Sequence, residues 1–256
     1  MPTVKIEEEE IYYTHKAAGS ERGFVLIHGS GGDHAHWPES LRTFAKANVY
    51  GLDLPGHGRS DGVGCTSIDA YADFITAFVQ KLNLDKLTLF GHSLGGAIAL
   101  CLALQQPDWL DSIVLVGTGA RLRVAPGILD NLLMDYENTV DLLCQYAFAP
   151  HAPQNMVDTV REGFLRTPAE VTHGDLSACN RFDVMEELEK ISCSTLVVSG
   201  TEDRLTPVKY GQYLKDHIPE AEMAVIPEAG HMMALEKSAE FMQAINTFLK
   251  QTPPMP

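Results

Sequence analysis

Ser93 stands in the segment GHSLGG, residues 91–96, between two apolar runs. A tight turn from a strand into a helix leaves no room for side chains on its flanks, and glycine at positions 91 and 95 removes that collision. The serine is then held in a strained turn with its hydroxyl exposed, beside the unpaired N–H groups of a helix N-terminus. The segment predicts a nucleophilic serine, although G-x-S-x-G alone also recurs by chance.

A nucleophilic serine needs a base and an acid that orients the base. In an open α/β sheet, both should lie on later loops at the carboxyl edge of the strands. Glu202 and Asp203 both fit the loop after one apolar run, and we choose Asp203. Among the ten histidines, only His217 and His231 follow it. His217 lies in a helical pattern, whereas His231 ends a strand and its loop, so the sequence predicts His231 as the base.

An oxyanion hole would complete such a site, because the tetrahedral intermediate of acyl transfer carries a negative oxygen. One donor is expected from the backbone N–H after the nucleophile, which is that of Leu94. The other is expected in the glycine-rich loop HGSGGDHAHW, residues 28–37. We choose the N–H of Ser30, with Gly31 as the alternative. A purely structural turn is the competing interpretation of this loop.

The cluster Asp33–His36, DHAH, resembles a set of metal ligands. A zinc site needs a third or fourth ligand at a workable distance, and the chain has no HExxH motif. The five cysteines are scattered without a CxxC pair, so neither a zinc cage nor a disulfide framework is indicated. The sequence therefore predicts no metal and no cofactor.

Short apolar runs bounded by glycine recur along the chain and are typical of strands buried on both faces of a parallel sheet. Helical patterns lie between them, including residues 67–82 with Ser67 as the N-cap. The alternation predicts a doubly wound, mostly parallel α/β sheet. The predicted strands are Gly23–Gly29, Val49–Gly56, Lys86–Ser93, Ser112–Gly119, Ser194–Gly200 and Glu222–His231.

One segment interrupts the alternation. Residues 120–187 contain no convincing buried strand and read as short amphipathic helices broken at prolines. We therefore predict a helical lid, or cap, at 120–187, inserted into a core domain made of residues 1–119 and 188–256. A plain run of core helices is the alternative. Arg121 and Arg123 open this segment, either as solvated side chains or as contacts for an anionic acyl group.

The composition limits the classes of partner. The formal net charge of −15 argues against binding to nucleic acid or anionic membranes, which requires clustered Lys and Arg. No stretch approaches the roughly 20 apolar residues that span a bilayer. The acidic first residues also differ from a signal peptide, which is basic and then apolar. We therefore expect a cytoplasmic protein. We also expect one sizeable core, since 45% of the residues are hydrophobic.

Taken together, these segments resemble the α/β-hydrolase superfamily, in its lidded branch of serine carboxylesterases, lactonases and related hydrolases. The resemblance runs from about residue 23 to the C-terminal end, except in the lid. It implies Ser93 as nucleophile, Asp203 as acid, His231 as base, and Ser30 and Leu94 as oxyanion donors. The strands before Gly23 are short, and their pairing is left open. The matching segments are His28–Gly32, Asp53–Asp61, Gly91–Gly96, Gly200–Pro207 and Gly230–His231, followed by Leu235–Phe241.

The expected activity is hydrolysis of a small-molecule carboxylic ester through an acyl-enzyme on Ser93. Haloalkane dehalogenases and epoxide hydrolases are set aside, because they carry aspartate at the position of Ser93. Hydrolysis of a lactone or of a carbon–carbon bond by the same triad is an alternative. A ligand sensor on a hydrolase scaffold is another. We expect a monomer or a homodimer.

Overall fold

The computed structural model describes residues 2–251, so residue 1 and residues 252–256 of the predicted core domain lie outside the description. Eight strands form one sheet in it. They are β1 (Thr3–Ile6), β2 (Glu9–Lys16), β3 (Gly23–Ile27), β4 (Asn48–Leu52), β5 (Leu87–His92), β6 (Leu110–Val116), β7 (Ser194–Gly200) and β8 (Glu222–Ile226).

The strand order is β1-β2-β4-β3-β5-β6-β7-β8. Strands β3 to β8 are parallel to their neighbours, whereas β2 pairs antiparallel with both β1 and β4. The prediction of a doubly wound, mostly parallel sheet is confirmed, and all six predicted strands are present. Several end earlier than predicted, because the glycine-containing ends of those runs form the turns that follow the strands.

Ten α-helices accompany the sheet in the part of the chain that the structure describes. Two short 3₁₀ helices cover His34–His36 and Leu188–Lys190. The α-helices are α1 (Glu39–Arg42), α2 (Ile68–Lys81), α3 (Leu94–Gln105), α4 (Pro126–Met134), α5 (Tyr136–Ala147), α6 (Gln154–Arg166), α7 (Ala169–Arg181), α8 (Val208–His217), α9 (Met233–Glu236) and α10 (Ser238–Gln251).

The two faces of the sheet carry separate apolar cores. Residues of α2, α3 and α8, such as Phe78, pack in the core on one face. Residues of α1 and α10, such as Phe241, pack with Trp37 on the other. All six residues of β5 are buried, as expected for a strand covered on both faces. The predicted N-cap is confirmed, because the Ser67 hydroxyl accepts the N–H of Ala70 at 3.2 Å.

The N-terminal residues form a hairpin at one edge of the sheet. Thr3 pairs with Tyr12, and Ile6 pairs with Glu9. The chain turns at Glu7, which has a φ of 53°. This resolves the pairing that the sequence left open, and it places the acidic run at residues 7–10 in and beside the hairpin turn.

Helices α4 to α7 lie together in the chain between β6 and β7. The predicted helical character of residues 120–187 holds, but its detail differs. Residues 127–148 form one uninterrupted amphipathic pattern in the sequence, but the structure divides them between α4 and α5, which meet at Asp135. Helix α7 was not singled out by the pattern, since its buried face carries polar residues such as Thr172 and Asp175. Within residues 2–251, no helix has the length and apolarity to cross a membrane.

Candidate active site

Ser93 lies in the turn between β5 and α3 with φ 53° and ψ −112°, a conformation that non-glycine residues adopt at a cost. The flanking glycines are sterically required. A methyl group on Gly91 would collide with the carbonyl of Gly95, and one on Gly95 would collide with the carbonyl of Ile27. The chain can pass from strand to helix in this space only because both side chains are missing.

The end of strand β6 holds this turn in place. The Ser93 N–H donates to the Val116 carbonyl at 2.9 Å. The Thr118 hydroxyl donates to the Ser93 carbonyl, also at 2.9 Å. The backbone of Ser93 is therefore bound on both sides, so its strained geometry is supported by the neighbouring strand.

Asp203 follows β7, and His231 lies in the loop after β8. The His231 Nδ1 atom is 2.9 Å from Asp203 Oδ2, and both side chains are buried. The other carboxylate oxygen, Oδ1, accepts the backbone N–H groups of Leu205 and Thr206 at 2.9 and 2.8 Å. Because the carboxylate accepts at Nδ1, the ring donates there, and Nε2 is left as the acceptor for a proton.

Thr206 completes the environment of this carboxylate. Its hydroxyl donates to Asp203 Oδ2 at 2.7 Å and lies 3.2 Å from His231 Nδ1. Burial alone would raise the pKa of Asp203, but the charge of His231 and the hydrogen bonds from His231 and Thr206 outweigh it. The pKa of Asp203 is therefore lowered, and the group is a carboxylate at neutral pH.

The main chain of His231 is also fixed. Its N–H donates to the carbonyl of Ala147 at 2.7 Å, at the end of helix α5. Its carbonyl accepts His92 Nε2 at 3.0 Å. Burial, and then the neighbouring His231, lower the pKa of His92 well below its ordinary value, so His92 is a neutral support for the loop.

Ser93 and His231 line the same cavity, which has a volume of about 500 Å³. Thr206, Arg123 and Arg204 add polar groups to its wall. The rest of the wall is mainly apolar and comes from the loop after β6, from helices α4, α5 and α7, and from the loop after β7. Its apolar members include Leu122, Val124, Ile128, Leu143, Leu176 and Leu205.

The two predicted oxyanion donors flank Ser93. Leu94 is the first residue of α3, where the backbone N–H has no acceptor within its own helix. Ser30 follows β3, and a methyl group on the preceding Gly29 would lie 3.2 Å from Ser93 Cβ. The peptide that carries the Ser30 N–H is therefore next to the serine. The Ser30 hydroxyl lies 3.9 Å from the sulfur of Cys179.

Two residues of the DHAH cluster and His217 have hydrogen-bond partners outside the site. His34 Nδ1 pairs with Asp53 at 2.7 Å, and Asp33 accepts the N–H of Ala35 at 2.7 Å. Within residues 2–251, no group of three or more His, Cys, Asp or Glu is arranged to hold a metal ion. His217 is exposed on α8, where Nδ1 contacts the Tyr213 carbonyl at 2.8 Å.

Sequence reasoning missed several supporting residues, namely Thr206, Thr118 and His92 in its bond to His231. Thr206 had a local signal, because an aspartate that accepts N–H groups two and three residues later forms a recognisable turn. Thr118 and His92 act across elements distant in the sequence, so no local pattern could have indicated their partners.

Comparison with known proteins supports the assignment of the fold. Residues 24–238 match the family model described as alpha/beta hydrolase fold. A solved structure of a thermophilic esterase is 39% identical, with a TM-score of 0.88, and the match covers 99% of this chain and 98% of that one.

Curated relatives have several activities. A 2-hydroxy-6-oxononadienedioate/2-hydroxy-6-oxononatrienedioate hydrolase of Paraburkholderia phymatum is 30% identical over 95% of this chain and 92% of its own. The 3-oxoadipate enol-lactonase 1 of Acinetobacter baylyi is 26% identical over 88% of each chain. With a family match over most of its length, a mostly parallel eight-stranded sheet and a serine in its strand-to-helix turn, this chain belongs to the α/β-hydrolase-fold family.

Proposed function

We propose that this α/β hydrolase cleaves carboxylic esters of small molecules through an acyl-enzyme, with Ser93 as nucleophile, His231 as base and Asp203 as the orienting acid. The observation that carries the proposal is that Ser93 and His231 line one cavity while Asp203 binds the far nitrogen of the His231 ring at 2.9 Å. The similarity to a thermophilic esterase over nearly the whole chain favours an ester as the substrate.

In the proposed reaction, His231 Nε2 takes the proton of the Ser93 hydroxyl as Oγ attacks the ester carbonyl carbon. The carbonyl oxygen becomes an oxyanion and is bound by the N–H groups of Ser30 and Leu94. The imidazolium gives its proton to the departing alkoxide, and the alcohol leaves. Water then transfers a proton to His231 and attacks the acyl carbon. The bond to Ser93 Oγ breaks, the acid leaves, and Ser93 regains its proton.

The proposed cap is the segment 120–187. Its helices α4, α5 and α7 supply cavity residues such as Ile128, Leu143 and Leu176. A wall of this kind suits an apolar acyl or alcohol group, because each buried CH₂ contributes about 0.8 kcal/mol to binding. The cap would therefore select the substrate, and the sheet edge would carry out the chemistry.

The direct test replaces the nucleophile. It compares the variant with the wild type in turnover of a chromogenic short-chain ester such as p-nitrophenyl butyrate. Ser93→Ala should lower kcat by at least about 10³-fold, because the acyl-enzyme cannot form. Its thermal transition should remain near that of the wild type, since the strained turn is kept. Ser67→Ala, which alters a serine on the surface end of α2, serves as the matched control and should keep its activity. Ester turnover by Ser93→Ala at the wild-type rate would rule out the proposal.

A second candidate is hydrolysis of an enol-lactone or of a carbon–carbon bond by the same three side chains. The activities named for the curated relatives favour it, as does Arg123 at the cavity wall, where a guanidinium could meet an anionic acyl group. Arg123 is partly engaged, since it donates to the Asn180 carbonyl at 2.6 Å and pairs with the Asp183 carboxylate at 3.5 Å. A substrate panel of neutral esters, lactones and carboxylate-bearing substrates separates the candidates by kcat/KM. A ligand sensor would instead show a single slow turnover with every substrate.

A further inference from the structure

Asp175 on helix α7 is a fully buried carboxylate outside the proposed triad, and it joins the cap to the core. Its Oδ2 accepts the backbone N–H of Gly31 at 2.9 Å and His57 Nε2 at 2.9 Å. Its Oδ1 accepts the hydroxyl of Tyr71 at 2.5 Å. One side chain of the cap thus accepts hydrogen bonds from donors on three separate core segments.

The charge of this carboxylate is balanced by His57. Both nitrogens of the His57 ring face acceptors, since Nδ1 lies 3.0 Å from the Pro55 carbonyl and Nε2 faces Asp175. Burial would lower the pKa of His57, but the charge and hydrogen bond of Asp175 outweigh it and raise that pKa. Burial, and then Asp175, raise the pKa of Tyr71 well above its ordinary value, so its phenol keeps the proton it donates.

Gly31 directly follows Ser30 and has a φ of +64°. A methyl group there would lie 2.5 Å from the Phe164 ring, so the cap packs closely on this residue. Its N–H is held by Asp175, and its carbonyl accepts the Thr167 hydroxyl at 3.1 Å. Both polar groups of Gly31 are therefore bound by side chains of the cap segment.

The peptide that carries the Ser30 N–H is held from the core side. Its carbonyl, that of Gly29, accepts the Gly32 N–H at 3.1 Å and His28 Nδ1 at 2.8 Å. The next peptide, between Ser30 and Gly31, is held by Asp175 through its N–H. The orientation of Ser30 thus depends on two peptides of its own loop, one held by core residues and one held by Asp175 of the cap.

We propose that Asp175 and Thr167, the Gly31 clamp, are positioning residues through which the cap sets the oxyanion donor at Ser30. The inference rests on the proposed function, because it assigns the clamp to the same acyl-transfer site. Asp175 touches neither the substrate nor Ser93 in this account. It acts through the backbone of Gly31, and an oxyanion donor loses most of its effect when it is displaced by a fraction of an ångström to 1 Å.

The test measures p-nitrophenyl butyrate kinetics and inhibition by a short-chain trifluoromethyl ketone, whose tetrahedral adduct carries an oxyanion. Asp175→Asn should lower kcat and kcat/KM together by about 10- to 100-fold, with KM changed by less than about threefold. The inhibition constant of the ketone should rise by the same factor as kcat/KM falls. Val171→Ala, a buried apolar residue on the same helix, is the control for lost stability and should retain kcat.

Wild-type kcat and ketone affinity in folded Asp175→Asn would overturn the inference, as would a rise in KM alone. An equal fall in kcat for Val171→Ala at a matched Tm would show a merely structural role and overturn it too. If Asp175→Asn does not fold, Thr167→Val removes only the bond to the Gly31 carbonyl. It should lower kcat by about three- to tenfold, and an unchanged kcat would overturn the clamp. Ser93→Ala is measured in parallel to separate failure of the clamp inference from failure of the proposed function. Ester turnover by Ser93→Ala at the wild-type rate would overturn the proposed function itself.

Discussion

Individual residues around Asp203 show how a buried carboxylate is kept charged. Two backbone N–H groups, one hydroxyl and one imidazole N–H reach its two oxygens. Hydrogen bonds to a charged acceptor are worth about 1.5 to 3 kcal/mol each, so their sum offsets the cost of removing the group from water. Thr206 is the one member of this set whose side chain contacts both Asp203 and His231.

Thr206→Val tests the importance of that hydroxyl. The change keeps the shape and the backbone N–H but removes the 2.7 Å hydrogen bond to Asp203. We expect kcat/KM for the ester to fall by about tenfold, which corresponds to about 1.4 kcal/mol. Thr206→Ser keeps the hydroxyl and should recover most of the activity. Equal kcat/KM in Thr206→Val and the wild type would show that the hydroxyl does not support the pair.

Some site residues were predictable from local patterns, and others were not. Ser93, Asp203 and His231 each follow an apolar run, and the sheet rule brings the ends of parallel strands to one edge. In the structure, all three side chains lie at that edge. Asp175 had no such signal, because its three partners come from segments more than a hundred residues earlier. Such a contact depends on how two packed layers meet, which a local pattern does not encode.

At the scale of elements, the core strands were the most predictable part of the fold. A run such as residues 194–200 is apolar on both faces, and the structure gives β7 the same limits. The run after Glu222 was predicted to reach His231, yet β8 ends at Ile226. The remaining residues leave the sheet, where they place the His231 loop beside the end of α5. Apolar character thus predicted the strand, but it could not separate the strand from the buried loop that follows it.

The helices between β6 and β7 were less predictable. Helices α4 and α5 read as one amphipathic pattern, but the chain breaks between them at Asp135, whose φ and ψ of −152° and 66° are not helical. Helix α7 buries Thr172, Gly174 and Asp175 among its apolar residues, so polar groups interrupt the apolar stripe from which helices are recognised. Polar groups on that face are used for contacts with the core, which is why hydrophobic periodicity fails there.

For the whole molecule, buried histidines couple stability to pH. Within residues 2–251, five histidines are buried at or near the site. Three of them, His28, His36 and His92, have lowered pKa values. His28 is the clearest case. Its Nε2 accepts the Leu54 N–H at 3.1 Å, so Nδ1 carries the single proton. Burial, and then the neighbouring His57, lower its pKa from 6.5 to about 4, although the hydrogen bond to the Gly29 carbonyl and the charge of Asp53 act in the opposite direction.

The lowered pKa of His28 determines how the contribution of this residue to the free energy of unfolding changes with pH. Between pH 6.5 and about 4, the unfolded chain binds a proton at residue 28 that the folded chain does not. The contribution of His28 is therefore complete above pH 6.5 and is lost as the pH falls toward 4, by up to about 3 kcal/mol. The pKa of Asp203 is lowered from 3.8, so its contribution to the stability of the folded state is lost only as the pH falls below that value.

Urea unfolding at pH 7.5, 6 and 5 measures this effect. We expect the free energy of unfolding to fall with acidification over that range, and His28→Asn should show a shallower fall than the wild type. His57 has a raised pKa and so acts in the opposite direction, with its contribution lost as the pH rises above its ordinary value of 6.5. A free energy of unfolding that does not change between pH 7.5 and 5 would contradict the assignment of neutral buried histidines.

In the proposed reaction, Ser93 forms a covalent intermediate with the substrate. The most direct measurement is mass spectrometry of peptides after reaction with a serine-directed organophosphorus ester, on the wild type and on Ser93→Ala. We expect one adduct per chain, located on Ser93 and absent from the variant, with ester turnover lost in proportion to labelling. An adduct on another residue, or full inhibition of Ser93→Ala by the same reagent, would show that Ser93 is not the nucleophile.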